Sequence, residues 1–75
     1  MKNVEIYLPS AEVVQEFVET LTPLEGDFEL VSPGTILDAR SLMGIFGFDL
    51  TKPVTLKIYQ PSPENMAAIK PFLAK

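Results

Sequence analysis

The chain contains no cysteine and no histidine. Without thiols there is no disulfide framework, no thiolate nucleophile and no cysteine-based metal site. Without imidazole the usual general base, the commonest metal ligand and the phosphohistidine route are all excluded. No apolar run approaches the roughly 20 residues of a membrane span. Cations are few: six Lys and Arg stand against ten Asp and Glu, a formal net charge of −4. An acidic chain without a basic stripe argues against nucleic acid and anionic membranes as partners. The opening "MKNVEIYLPS" is too short and too polar for a signal peptide, so a cytoplasmic location is expected. No glycine-rich loop follows a strand to cradle phosphate, and no carboxylate pair falls in an expected pocket. Neither metal nor cofactor is expected, and an enzyme is disfavoured.

What is present fits one small globular domain over residues 1–75, with 47% hydrophobic residues. A core of this size supplies about 3–5 kcal/mol net without staples. The charge is uneven. Residues 1–30 hold one lysine against seven carboxylates, a balance of −6, whereas residues 31–75 hold five cations against three carboxylates, a balance of +2.

Hydrophobic periodicity gives the elements in order. "NVEIYL" alternates, with Val4, Ile6 and Leu8 on one face and Asn3, Glu5 and Tyr7 on the other, and Pro9 ends it. Ser10 is an N-cap for "AEVVQEFVETLT", in which Val14, Phe17, Val18 and Leu21 form one helical stripe. Glu12, Glu16 and Glu19 share another side, read either as a solvated face or as a docking face for a basic partner. "DFELV" and "TILDA" flank "SPG", in which Pro33 presets φ and Gly34 accepts positive φ, so residues 27–39 form a hairpin. "SLMGIFG" is a short helix capped by Ser41, and Asp49 suits a turn. "KPVTLKIY" is a strand with Val54, Leu56 and Ile58 inward. Ser62 as N-cap and Pro63 at the first position start a last helix with a Met66, Ile69, Leu73 stripe, which ends or kinks near Lys70 because of Pro71. The order is β-α-β-β-α-β-α. Each strand has one apolar and one polar face, so the class is α+β, with helices on one side of an antiparallel sheet.

One segment has more apolar side chains than a short helix can bury. Between Leu42 and Leu50 stand Met43, Ile45, Phe46 and Phe48. Ile45 and Leu42 can point to the sheet, while Met43 and Phe46, three apart, share an exposed side. Such a patch marks a partner surface. The alternative is that the loop to Lys52 folds over the patch and buries it.

"DARSLMGIFGFDLTKPVTLKI" resembles the second half of HPr, the small phosphocarrier of the bacterial sugar phosphotransferase system. "ARSLMG" with its basic Arg40 is the most specific part, and the element order matches along nearly the whole chain. The resemblance implies an open-faced β-sandwich: a four-stranded antiparallel sheet in the order 1-4-2-3 with three helices on one face. The adjacency of strands 1 and 4 in that order implies Tyr7 and Tyr59 as neighbours on the open face, and Glu5 and Lys57 as a pair. In the family, a histidine opens the first helix with an arginine two residues on. Those positions fall on Ser10 and Glu12 here, and Glu12 repels the phosphate that an arginine would hold. The resemblance therefore implies a regulatory or adaptor protein and not a histidine phosphocarrier. Ser41 matches the serine phosphorylated in HPr proteins of Gram-positive bacteria; the other reading is a helix cap and nothing more. As phosphoserine it would set roughly −1.5 to −2 charges on a helix N-terminus beside Arg40. Protein partners (a regulator, a kinase or a transport-system enzyme) are expected on Arg40, Leu42, Met43, Phe46, Glu12 and Glu16, with the chain a monomer or weak dimer. The alternative is an interaction module with the HPr fold unrelated to sugar transport.

Overall fold

A computed structural model describes residues 1–74. The elements are β1 (Lys2–Ile6), α1 (Ala11–Leu21), β2 (Phe28–Ser32), β3 (Thr35–Asp38), α2 (Leu42–Ile45), β4 (Val54–Ile58) and α3 (Pro63–Ile69), the last running into a 3-10 turn at Lys70–Phe72. The four strands form one antiparallel sheet in the order β1-β4-β2-β3, as expected. Local chemistry sets the helix starts. The hydroxyls of Ser10, Ser41 and Ser62 accept the backbone N–H of Val13, Gly44 and Asn65 at 3.2, 3.3 and 3.2 Å, and each such cap is worth about 1 kcal/mol. Gly34, at φ +80, closes the β2–β3 turn behind Pro33.

The two-residue alternation of each strand sorts its side chains. Ile6, Phe28, Leu30, Leu56 and Ile58 point under the helices and are fully buried. Val14, Phe17 and Leu21 of α1, Ile45 of α2 and Ile69 of α3 complete the core from above. Among the described residues, no element covers the opposite face. Its cross-strand rows, read by register, are Asn3–Lys57–Glu29–Asp38 and Glu5–Thr55–Val31–Ile36.

Two surface pairs expected on that open face are corrected by the register. Lys57 lies opposite Asn3 and Glu29, and Glu5 lies opposite Thr55. Tyr7 follows the end of β1 and Tyr59 the end of β4, and because these strands run antiparallel the two rings sit at opposite ends of the sheet. Tyr59 instead donates its hydroxyl to Glu29 at 2.5 Å.

The C-terminal stripe is also corrected. Pro71 ends α3 and tightens the backbone into the 3-10 turn, which shifts the side-chain phase. Phe72 therefore enters the core and Leu73 turns outward. The Phe72 ring meets Phe17 edge to face, with centroids 5.2 Å apart at 78°, a geometry worth about 0.5–1.5 kcal/mol beyond its area. The same segment runs beside β1: Tyr7 N–H donates to Phe72 O and Ala74 N–H to Glu5 O, each at 2.9 Å.

Candidate functional site

The Ser41–Phe48 segment sits where β3 hands over to α2. The Ser41 N–H donates to Asp38 O at 2.9 Å, and the Ser41 carbonyl accepts from Ile45 N–H at 3.0 Å. Its hydroxyl caps the helix while remaining at the exposed surface. The four-residue α2 has room for one inward side, which Ile45 fills completely, with Leu42 half-buried beside it. Met43 is 84% exposed and Phe46 47% exposed, so the loop to Lys52 does not cover them. Instead that loop tucks in Phe48 and Leu50, both half-buried against the core.

α2 lies close over β3 because Gly44 has no side chain. A Cβ there would sit 2.9 Å from Ser41 Oγ and 3.2 Å from Leu37 Cδ2. On its other side α2 packs against α1. The outer face of α1 exposes Glu12, Glu16 and Glu19, and its last turn holds no basic residue. Ser10 is exposed and serves as the α1 cap.

Arg40 is placed differently from expectation. Its Nε donates to Leu21 O at 3.0 Å, and one terminal nitrogen donates to Leu24 O at 2.7 Å and Gly26 O at 3.1 Å. Its guanidinium carbon lies 5.1 Å above the Phe28 ring. The side chain is turned toward the C-terminal end of α1, so it neither attends Ser41 nor extends to a partner. The physical reason is that the carbonyl of the last α1 residue, Leu21, and those of Leu24 and Gly26 in the following loop converge on one side, where one planar guanidinium meets all three beside the partial negative charge of the helix end. Part of the signal was present in the sequence: the last turn of α1 has no cation of its own.

Two features were not found by periodicity. Asn65 is buried and donates to Glu25 O and Gln60 O, each at 2.9 Å. A groove of about 520 Å³ opens between the start of α1 and the C-terminal segment, lined by Tyr7, Pro9, Val13, Pro53 and Pro71 among others. It exists because Pro71 redirects the last residues along β1, a tertiary effect with no local sequence signature.

Two exposed groups are shifted by hydrogen bonds. The Asp49 carboxyl is held below the usual carboxylate range by the Thr51 hydroxyl and then by the Thr51 N–H. The Tyr59 hydroxyl is raised, first by its hydrogen bond to Glu29. Among the described residues no group of three or more carboxylates is placed to hold a metal ion, and no helix is long and apolar enough to cross a membrane. Comparisons with protein-family models, with curated proteins and with solved structures find no match to this chain.

Proposed function

We propose that the chain is an HPr-like regulatory or adaptor protein, related to the phosphotransferase system, that works by binding other proteins and not by carrying phosphate on histidine or catalysing turnover. The single observation that carries this reading is the outward pair Met43 and Phe46 at the short helix α2, which no other described segment covers. Large apolar side chains held in water beside a polar face suit adaptable contact with a partner. The neighbouring α1 contributes Glu12, Glu16 and Glu19, so the complementary partner carries an apolar socket rimmed by lysine and arginine. Leu42 supports the patch from beneath. Arg40 acts by holding the end of α1.

Phosphorylation of Ser41 is proposed as the switch on this surface. Its hydroxyl is accessible at the start of α2, and with Arg40 engaged elsewhere a phosphate there adds to the acidic character of the face. Incubation with ATP and a serine kinase, followed by mass spectrometry, tests this against a Ser41→Ala control.

Docking is tested by placing a photoreactive residue at Met43 in the native host and identifying the crosslinked protein. Binding of the isolated partner is then measured for Met43→Lys and Phe46→Lys. The expected loss is about thirtyfold or more, the size of a hot-spot contact; unchanged affinity in both variants overturns the reading. The acidic α1, with Ser10 and Glu12 at the family's histidine and arginine positions, favours a second reading: an interaction module unrelated to sugar transport. A crosslinked partner that is neither a transport-system enzyme nor a catabolite regulator selects it.

A further inference from the structure

The sheet has two edges, and the chain treats them differently. The outer side of β1 is bonded to the C-terminal segment at Glu5, Ile6 and Tyr7. Among the described residues the outer side of β3 carries no such strand, since β3 pairs there only with β2. Its residues are Thr35, Ile36, Leu37 and Asp38, with neither the lysine nor the proline by which exposed edges are commonly blunted.

The direction of each backbone group on β3 follows from the ladder. Ala39 N–H donates to Phe28 O at 2.9 Å. In an antiparallel pair, hydrogen-bonded and non-bonded residues alternate, so Leu37 and Thr35 bond to β2 as Ala39 does. Ile36 and Asp38 therefore direct their N–H and C=O away from the sheet. The Asp38 carbonyl is taken by the Ser41 N–H. Ile36 keeps both groups outward, and its side chain is 60% exposed on the open face beside Val31.

We propose that β3 is a self-association edge, on which the occupant is the β3 strand of a second copy of this chain, centred on Ile36. The register follows from symmetry and charge. A two-fold axis at Ile36 sets Ile36 opposite its own counterpart on the same face, and the pair exchange both backbone bonds. Val31 and Ile36 of both copies then form one continuous apolar band across the joined sheets. Asp38 falls opposite Gly34 of the other copy, where its N–H finds the glycine carbonyl. Moving the axis to Asp38 would set two carboxylates directly opposed, which is unfavourable. An axis at Leu37 would set Ile36 opposite Asp38 of the other copy, whose carbonyl the Ser41 N–H already occupies, and an axis at Thr35 would carry Asp38 past the end of the other copy's β3. Each chain carries a net charge of −4, so association strengthens as salt screens the repulsion.

The experiment combines sedimentation equilibrium with residue-resolved amide hydrogen exchange, over a wide concentration range and at low and high salt. The expected result is a reversible monomer–dimer equilibrium, stronger in salt, in which the Ile36 amide gains protection with concentration while those of Leu37 and Thr35 are protected throughout. Ile36→Lys places like charges opposite one another and is expected to raise the dissociation constant about tenfold or more. Because Ile36 is outside the core, circular dichroism of this variant is expected to match that of the parent. Ile36→Pro removes the outward N–H without touching a β2 bond and is expected to act in the same direction. A chain that stays monomeric at every concentration, or a dimer whose Ile36 amide exchanges freely at all concentrations, overturns the proposal.

Discussion

The side-chain amide of Asn65 reaches the carbonyl of Glu25, 40 positions earlier in the chain, at 2.9 Å. A second bond from the same nitrogen meets Gln60 O. One buried amide thus ties the loop after α1 and the turn after β4 to the start of α3. Asn65→Ala takes the side-chain donor from the Glu25 carbonyl and leaves Gln60 O only the Ser62 N–H, and a loss of about 2 kcal/mol in unfolding free energy is expected, read as a lower denaturant midpoint. Asn65→Asp is expected to be worse, because a carboxylate then faces both carbonyls. A variant as stable as the parent contradicts this account.

Arg40 holds three backbone carbonyls with one planar group. Arg40→Ala is expected to destabilise by about 2–3 kcal/mol. Arg40→Lys is expected to recover less than half of that, since an ammonium lacks the fork that spans Leu21, Leu24 and Gly26. Equal stability of the lysine and arginine proteins would place the effect in charge alone.

Gly44 presents a choice between two effects. Alanine is ordinarily favoured over glycine in a helix by about 1 kcal/mol. Here the added methyl crowds the Ser41 cap oxygen and Leu37, and a lost cap is worth a similar amount. With the Leu37 contact added, Gly44→Ala is expected to lower stability by roughly 1 kcal/mol, and thermal unfolding of the pair reads the sign.

The Tyr59–Glu29 bond gives a pH signature. The proton is held more tightly in the folded chain than in the unfolded one, so the folded value lies above the ordinary tyrosine pKa. The contribution to stability is therefore fully present below the unfolded value and is lost as pH rises through the folded one. In a Tyr7→Phe background, tyrosinate absorbance is expected to appear at lower pH once Glu29→Gln removes the carboxylate. Asp49 behaves in the opposite sense: its contribution is present above the unfolded carboxylate value and is lost as pH falls through the lowered folded one. Replacing Thr51 by valine is expected to move the Asp49 carbon shift midpoint upward.

Met43→Lys is expected to change folding stability by less than about 0.5 kcal/mol, the range of surface substitutions. A large loss in calorimetry would show that Met43 packs inside the folded chain.

The α+β class, the element order and the outward pair at Met43 and Phe46 were legible because local signals agreed with one another, whereas the strand order came only from the resemblance of the "ARSLMG" region. Strict alternation in β1 and β4, three serine caps and the Pro33–Gly34 turn each point to the element that forms. The failures share a cause. Arg40 was assigned by its neighbour Ser41, yet its partners lie 14 to 19 positions back. Tyr7 and Tyr59 were paired by strand adjacency without the register that fixes which residues stand opposite. Phe72 was left out of the core because Pro71 changes the helical phase by an amount that periodicity does not encode. Asn65 gives no sequence signal, since its carbonyl partners are backbone groups brought together only in the folded chain.

The bonds from Phe72 and Ala74 to β1 limit how far strand addition can proceed. A sheet open at both sides propagates: each arriving molecule offers a fresh template to the next. Here the β1 side is already occupied at Glu5, Ile6 and Tyr7, and the strand begins with a charged Lys2. On the proposed pairing, joining through β3 uses that template on both molecules at once and leaves only the short Lys2–Val4 end of β1, headed by a charge, so a closed pair is favoured over a growing fibre.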